Sequence, residues 1–305
     1  MNNHWELAGD FLYMRRAEVQ NKTLVKNADK PQCSGGCPNH KVIDTNDLVN
    51  DFGFVPGYRV GLTYIADPAN GFEMNFLYLQ PWNARKKVEG DQSLSFPFSH
   101  ADYTVDFHDA SVAIAEYQSH FWDLEFNYWR YLSPRRIDYF SISGLAGLRY
   151  FHWDESFKLK MFNPPDHSSY DVSTENRIFG VQAGVDLQMN PTRWLSWEFF
   201  AKVGGMVDHC EQSTFLGDED NTVKLHNFEK QIRQIGIYTD VLAEFAIHFN
   251  RYINFHAGYQ FMFFSGLALA PEQISYRTNK NAGDRVYDDG TAIIHGMYAG
   301  IIFTF

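Results

Sequence analysis

Apolar and polar residues alternate with a period of two in one segment after another along this chain. In "WELAGDFLYM", Trp5, Leu7, Gly9, Phe11 and Tyr13 oppose Glu6, Ala8, Asp10 and Leu12. "PGYRVGLTYIA" sets Tyr58, Val60, Leu62 and Tyr64 against Arg59, Gly61 and Thr63, and "FEMNFLYLQ" sets Phe72, Met74, Phe76 and Tyr78 against Glu73, Asn75 and Leu77. The same reading holds for "HFWDLEFNYWRYL", "YFSISGLAGLRYF", "RIFGVQAGVDLQM", "WLSWEFFAKVGG", "YTDVLAEFAIHF", "NFHAGYQFMFF" and the closing "HGMYAGIIFTF". This is the pattern of strands with two unlike faces. It predicts an all-β chain of about ten strands.

The connections alternate in length. Short turns such as "DPANG", "SPRR", "NPTR" and "NRY" punctuate one end. Long polar connections, about residues 19–51, 81–112, 163–176, 206–230 and 267–290, punctuate the other. An antiparallel up-and-down meander places every second connection on one side, so residues 1–305 read as a single domain of this kind.

Three features turn alternation into a membrane prediction. The apolar face is large and aromatic in nearly every segment, whereas the opposite face carries Gly, Ser, Asp, Glu, Arg and Gln. The segments run about nine or more residues, the length that crosses a bilayer at a tilt. Trp5, Tyr13, Tyr64, Trp122, Trp194 and Trp197 cluster near segment ends, as an aromatic girdle requires. The predicted fold is a transmembrane antiparallel β-barrel with short periplasmic turns and long extracellular loops. Its first partner is outer-membrane lipid. With "MNNHWELAGDF" at its start the sequence reads as a mature form, since it lacks a basic start and an apolar core segment.

Composition sharpens this. Aromatics make up 17% of the chain, yet mean hydropathy is -0.36, which excludes a bundle of membrane helices. A net charge of -11 argues against a nucleic-acid partner. Cys33 and Cys37 in "CSGGC" are a candidate loop disulfide, with a metal as the rival reading; no second Cys or His pair stands at zinc spacing. No cofactor and no metal site are expected.

Placing the polar faces inward gives an ionisable lining: Glu6, Asp10, Glu73, Asp123, Glu125, Asp186, Glu198, Asp240 and Glu244 against Arg59, Arg149 and Lys202. Such groups must pair, hydrogen-bond or meet water, because desolvation costs several kcal/mol per ion. Two interiors satisfy that demand. One is plugged by a charge network. The other is a narrow aqueous path for small solutes, which excess carboxylates would bias towards cations. The function expected is a narrow porin-like channel for small polar solutes or cations; a non-conducting barrel whose extracellular loops bind a partner is the alternative, and a rim-located hydrolase the remote one. "GDEDN" (Asp218, Glu219, Asp220) lacks dedicated calcium spacing and reads as a solvated loop.

An enzyme is not expected. "DFH" (Asp106, His108) would place an acid and a histidine on one strand face near the rim, and "VDHC" (Asp208, His209) would place them on opposite faces. No nucleophile elbow, phosphate loop or zinc-helix motif is present.

"FWDLEFNYWRYLS", "LAGLRYFHWDE", "IFGVQAGVDL", "GYQFMFFSGLALAPEQI" and "IIHGMYAGIIFTF" together resemble the β-barrel porin family of bacterial outer membranes, over roughly the C-terminal two thirds of the chain. The most distinctive phrase is "GLALAPEQI". The resemblance implies a Gram-negative outer-membrane barrel with a pore. The terminal Phe305 is similar to the closing signature of such barrels, which implies recognition by the barrel assembly machinery. Oligomeric state is not specified by any of these features.

Overall fold

The computed structural model describes residues 4–17, 20–27, 41–67, 69–98, 107–132, 139–164, 166–218, 224–277 and 285–305. Ten strands form a closed antiparallel barrel in which sequence neighbours pair: β1 (His4–Ala17), β4 (Val55–Asp67), β5 (Asn70–Ser95), β6 (Ala110–Tyr131), β7 (Phe140–Asn163), β8 (Asp166–Thr192), β9 (Leu195–Asp218), β10 (Lys224–His248), β11 (Ile253–Leu267) and β12 (Gly290–Thr304). Pairing of β12 with β1 closes the ring, with Glu6 opposite Thr304 and Ala17 opposite Ile293. At the seam, Trp5 and Phe305 exchange both backbone hydrogen bonds at 2.9 Å. Closure leaves no strand edge within the wall, the condition for a sheet to stand in lipid.

The outward apolar face is continuous around the barrel. Phe11, Val60, Met74, Phe126, Leu148, Val181, Phe199, Val241, Tyr259 and Ile301 are all exposed. Of the girdle residues, Trp5, Tyr13, Trp194 and Trp197 are exposed. Tyr64 packs at a tilt on Trp5 with 4.7 Å between ring centroids, and Trp122 packs on Tyr150 at 5.4 Å. The short turns are closed by side chains: Asp67 accepts from the backbone of Ala69 and from Asn70, and Asn250 accepts from the backbones of Tyr252 and Ile253.

The wall has two heights. Strands β1, β4, β11 and β12 have 13 to 15 residues, whereas the adjacent β5 to β10 have 22 to 27. Crossing a bilayer takes about 9–11 residues, so six strands rise far above the lipid band. This corrects the expected loops. The stretches 81–95 and 110–112 are strand, so the connection between β5 and β6 is 96–109. The expected loop at 163–176 shrinks to 164–165, and that at 206–230 to 219–223. The connection between β11 and β12 spans 268–289. The region 19–51 carries a small hairpin, β2 (Thr23–Asn27) and β3 (Lys41–Asp44), and about two helical turns, α1 (Thr45–Asp51).

The cause is an inversion of the two faces. Below, the outside is apolar and the inside polar. Above, Arg85, Glu116 and Lys158 point outward, while Trp82, Tyr117, Phe157, Leu159 and Tyr170 point inward and are buried. A bulge at Leu79/Trp82 shifts the parity of β5 at the crossover. Alternation persists, but its meaning reverses from a lipid-facing strand to that of a water-soluble barrel.

Placing an arginine in the middle of the outward band tests this orientation. Val185→Arg should destabilise the barrel by about 2–4 kcal/mol, and Ser213→Arg, outward on the tall wall, by about 0–1 kcal/mol. Urea unfolding in lipid vesicles measures both; equal costs would contradict a lipid boundary between these positions.

Candidate functional site

The bore is organised in layers. All twelve ionisable residues assigned inward by the alternation line its lower part. Nearest the short turns is a vestibule of about 360 Å³, lined by Glu6, Glu73, Asp186, Glu198, Glu244 and His248 among others.

Above it the charges close on one another. Asp10 accepts from Arg59 Nε at 2.6 Å and lies 2.7 Å from His256 Nε2. His256 Nδ1 is 3.3 Å from Glu244, which also accepts from the Tyr298 hydroxyl at 2.5 Å. A second cluster centres on Arg149, whose Nη1 donates to Asp240 and Nη2 to Asp123, both at 2.7 Å. Glu125 accepts from Lys202 Nζ at 2.5 Å and from Gln182 Nε2 at 2.7 Å. Gln260 joins the clusters: it donates to Asp240 at 2.9 Å and accepts from Arg59 at 3.5 Å. The void among these groups is about 30 Å³, room for about one water.

An aromatic layer lies over the Arg149 cluster. The Phe151 ring meets Tyr238 and Phe264 at 4.8 and 5.1 Å, and Trp153 meets Phe121 and Phe264 at 5.2 and 5.4 Å. These edge-to-face contacts fill the cross-section with rings. Arg149 also lies 4.7 Å from the Phe151 centroid, so the guanidinium is capped by an aromatic face.

The next layer is built from inserted chain. At the end of β11, Gly266 adopts φ +85, and a Cβ there would approach Gly236 Cα to 2.8 Å. This left-handed position turns Leu267–Ile274 into the bore, where Leu267, Ala268, Leu269 and Ala270 are fully buried. Two wall residues grip the insert. Asn176 accepts from the Ala268 backbone N–H and donates to its carbonyl, both at 3.0 Å. Glu155 accepts from the Ala270 backbone N–H at 2.9 Å, from Tyr117 at 2.9 Å and from Ser119 at 3.1 Å, and pairs with Arg16 at 2.7 Å. Lys22 Nζ donates to the carbonyls of Glu272 and Ile274. From the other side Leu48 of α1 and the capping residue Phe52 are buried, with Phe52 5.0 Å from Tyr117. Its start is fixed by a reciprocal pair: Asp47 N–H donates to Asp44 Oδ1 and Asp44 N–H to Asp47 Oδ2.

Arg16, Glu155, Asn176, Glu272, His256 and Gln260 were not among the residues singled out from sequence. His256 and Gln260 stand on the polar face of their strand and were findable by alternation. Asn176 fell in a stretch read as loop, and the partners of Arg16 and Glu155 come from distant segments. Of the rim pairs, Asp208 and His209 face opposite sides of the wall. Asp208 points inward and accepts from Gln234 at 2.8 Å, His209 points outward beside Glu211, and His108 sits in a bend rather than on a strand. Asp106, Cys33, Cys37, Glu219 and Asp220 lie outside the described residues, as does the side chain of Asp218. Cys210 is a buried free thiol.

No family model matches the sequence, and no curated protein is similar to it. Among solved structures, the chain is similar to the outer membrane protease OmpT from Escherichia coli, with a TM-score of 0.54 at 8% identity over 99% of this chain and 97% of that one. It also aligns with the translocator domain of autotransporter NalP from Neisseria meningitidis, with a TM-score of 0.40 at 9% identity over 99% and 88% of the two chains. The first of these similarities is one of fold: the chain has the architecture of outer-membrane β-barrel proteins.

Two outcomes follow for the filled bore. Arg149→Met strands Asp123 and Asp240 without their cation, and should cost about 3–5 kcal/mol. Adding Asp123→Asn and Asp240→Asn should recover part of it, read as a shift of the urea midpoint at constant slope. The second concerns Glu272, buried on the insert, whose carboxyl is pushed up to about 7 by burial and by the charges of Glu155 and Asp289. The docked insert therefore holds a proton that the free segment releases nearer the ordinary carboxylate value. Its docking weakens as pH rises through about 4.5 to 7 and levels off above. Hydrogen-exchange protection at 268–274, corrected for intrinsic rate, should be greater at about pH 5 than at about pH 8, and Glu272→Gln should abolish the difference.

Proposed function

We propose that the protein is a closed barrel of the bacterial outer membrane, non-conducting as it stands, whose long-loop end and tall wall face outward as a scaffold for partner recognition. The observation that carries this reading is the succession of filled layers across one bore: the Arg149 cluster, the aromatic layer, and the Leu267–Ile274 insert gripped by Asn176 and Glu155. Each crosses the path that a solute would take. The layers draw on side chains of several strands and on the connection that follows β11, so opening the bore means breaking several anchors together. No catalytic role is proposed, and no cofactor.

A second reading, a gated channel with cation preference, is favoured by one feature. The vestibule gathers Glu6, Glu73, Asp186, Glu198 and Glu244 around a cavity open at the short-turn end. Fixed carboxylates at a pore mouth concentrate cations and exclude anions. The two readings share one structure and differ in whether the filled layers can move out of the path.

Planar-bilayer recording of the purified barrel separates them. The closed reading expects no resolved current steps. Replacing 268–274 by a Gly-Ser linker together with Arg149→Ala, Phe151→Ala and Phe264→Ala, which thins all three layers, should produce steps, with reversal potentials in a salt gradient showing cation preference. Stable steps from the unaltered protein would overturn the closed reading in favour of the channel, and anion preference in the linker variant would contradict the role given to the carboxylates.

A further inference from the structure

We propose that His152, Asp154 and Glu175 form a binding site for a divalent transition metal of the zinc class, on the outer wall just above the lipid-facing band. The inference is independent of the bore and of its proposed function. One ligand atom from each of the three residues lies within 4.8 Å of the other two, and His152 Nε2 is 2.9 Å from Asp154 Oδ2. Ligands about 2.0–2.1 Å from a tetrahedral zinc lie roughly 3.3 Å apart, so the set needs only small side-chain adjustment to close on one ion.

The strand register shows why these groups meet. Two outward rows cross the tall wall side by side. In the upper row, His120, Asp154, Glu175 and Glu211 stand directly opposite one another on β6, β7, β8 and β9. In the lower row, Trp122, His152, Arg177 and His209 do the same. Three carboxylates abreast on neighbouring strands repel one another. Arg177 answers part of that charge: its Nε is 2.5 Å from Glu175 and its Nη1 3.7 Å from Glu211. It leaves the Asp154 end to imidazoles, with His152 at 2.9 Å and His120 Nδ1 at 3.9 Å. Neutral imidazole answers a carboxylate weakly; bound to a metal it becomes part of a strong one. A histidine-and-carboxylate set suits zinc in preference to calcium or magnesium, which take oxygen alone.

The surroundings fit a positioned ligand. The His152 ring packs on Trp122 at 5.3 Å between centroids, which fixes its plane. The fourth position faces outward at the margin of the apolar band, where a water or a lipid phosphate oxygen can occupy it.

The test uses the full-length barrel folded in detergent micelles and stripped with a chelator. Titration with zinc chloride should reveal a saturable site, and cobalt(II) should give ligand-field absorption there. His152→Ala and Asp154→Asn should each weaken zinc binding by at least about tenfold, whereas His209→Ala should leave it unchanged. Heat-modifiable gel mobility checks that every variant is a folded barrel. Absence of saturable binding overturns the proposal. So does zinc binding that is equal in the His152 and Asp154 variants, which would place the metal elsewhere, or binding that is lost equally in the His209 variant.

Discussion

Backbone hydrogen bonding in a solvent that offers no partners governs this molecule. In hydrocarbon, each unpaired strand N–H or C=O costs several kcal/mol, so a spanning sheet must close on itself. Here β12 returns to β1 and the ring is complete. Closure then creates the second problem, an interior. Ten strands enclose more than a single row of side chains, and an unfilled bore would leave charges such as Arg149 and Asp123 either solvated or stranded. The chain fills the bore with ion pairs low down, rings in the middle and its own backbone at the top. The inserted backbone is itself polar, which is why Asn176 and Glu155 stand where Ala268 and Ala270 need partners.

The two heights of the wall belong to the same solution. The short strands β1 and β11 lead into the two connections that enter the bore, and the tall strands β5 to β10 supply the apolar surface that receives them. A barrel that is oily outside and charged inside becomes, a few residues higher, charged outside and oily inside. The lower half resembles a membrane protein and the upper half a soluble one, on continuous strands. The hinge between them is visible on β7, where Leu148 and Tyr150 outward give way to His152 and Asp154, while Arg149 inward gives way to Phe151 and Trp153.

That hinge also explains what could be read from the chain beforehand. Strand number, the lipid face and the inward direction of residues such as Glu73 and Lys202 follow from period-two alternation, which needs no knowledge of partners. The upper strands escape such a reading because aromatic outward and polar inward fails at 81–95 and 206–218, where Trp82 and Leu216 face in. The insert stood out as "GLALAPEQI" only as a phrase. Nothing local in it says that Ala268 will meet a side chain 92 residues away. Pairings such as Arg16 with Glu155 depend on barrel closure and on which connection enters, and a single sequence does not encode these as a pattern.

The central claim is that lipid lies outside the lower wall while the bore above the vestibule is filled by protein. Solid-state NMR of the labelled barrel in bilayers tests this directly, by polarisation transfer from lipid acyl chains and from water. The account predicts lipid transfer to Phe126 and Val181, water transfer to Glu73 and Glu198, and neither to Phe264 and Trp153. Rapid water transfer to the Phe264 and Trp153 rings would contradict it, because a hydrated path would then run where the aromatic layer is placed.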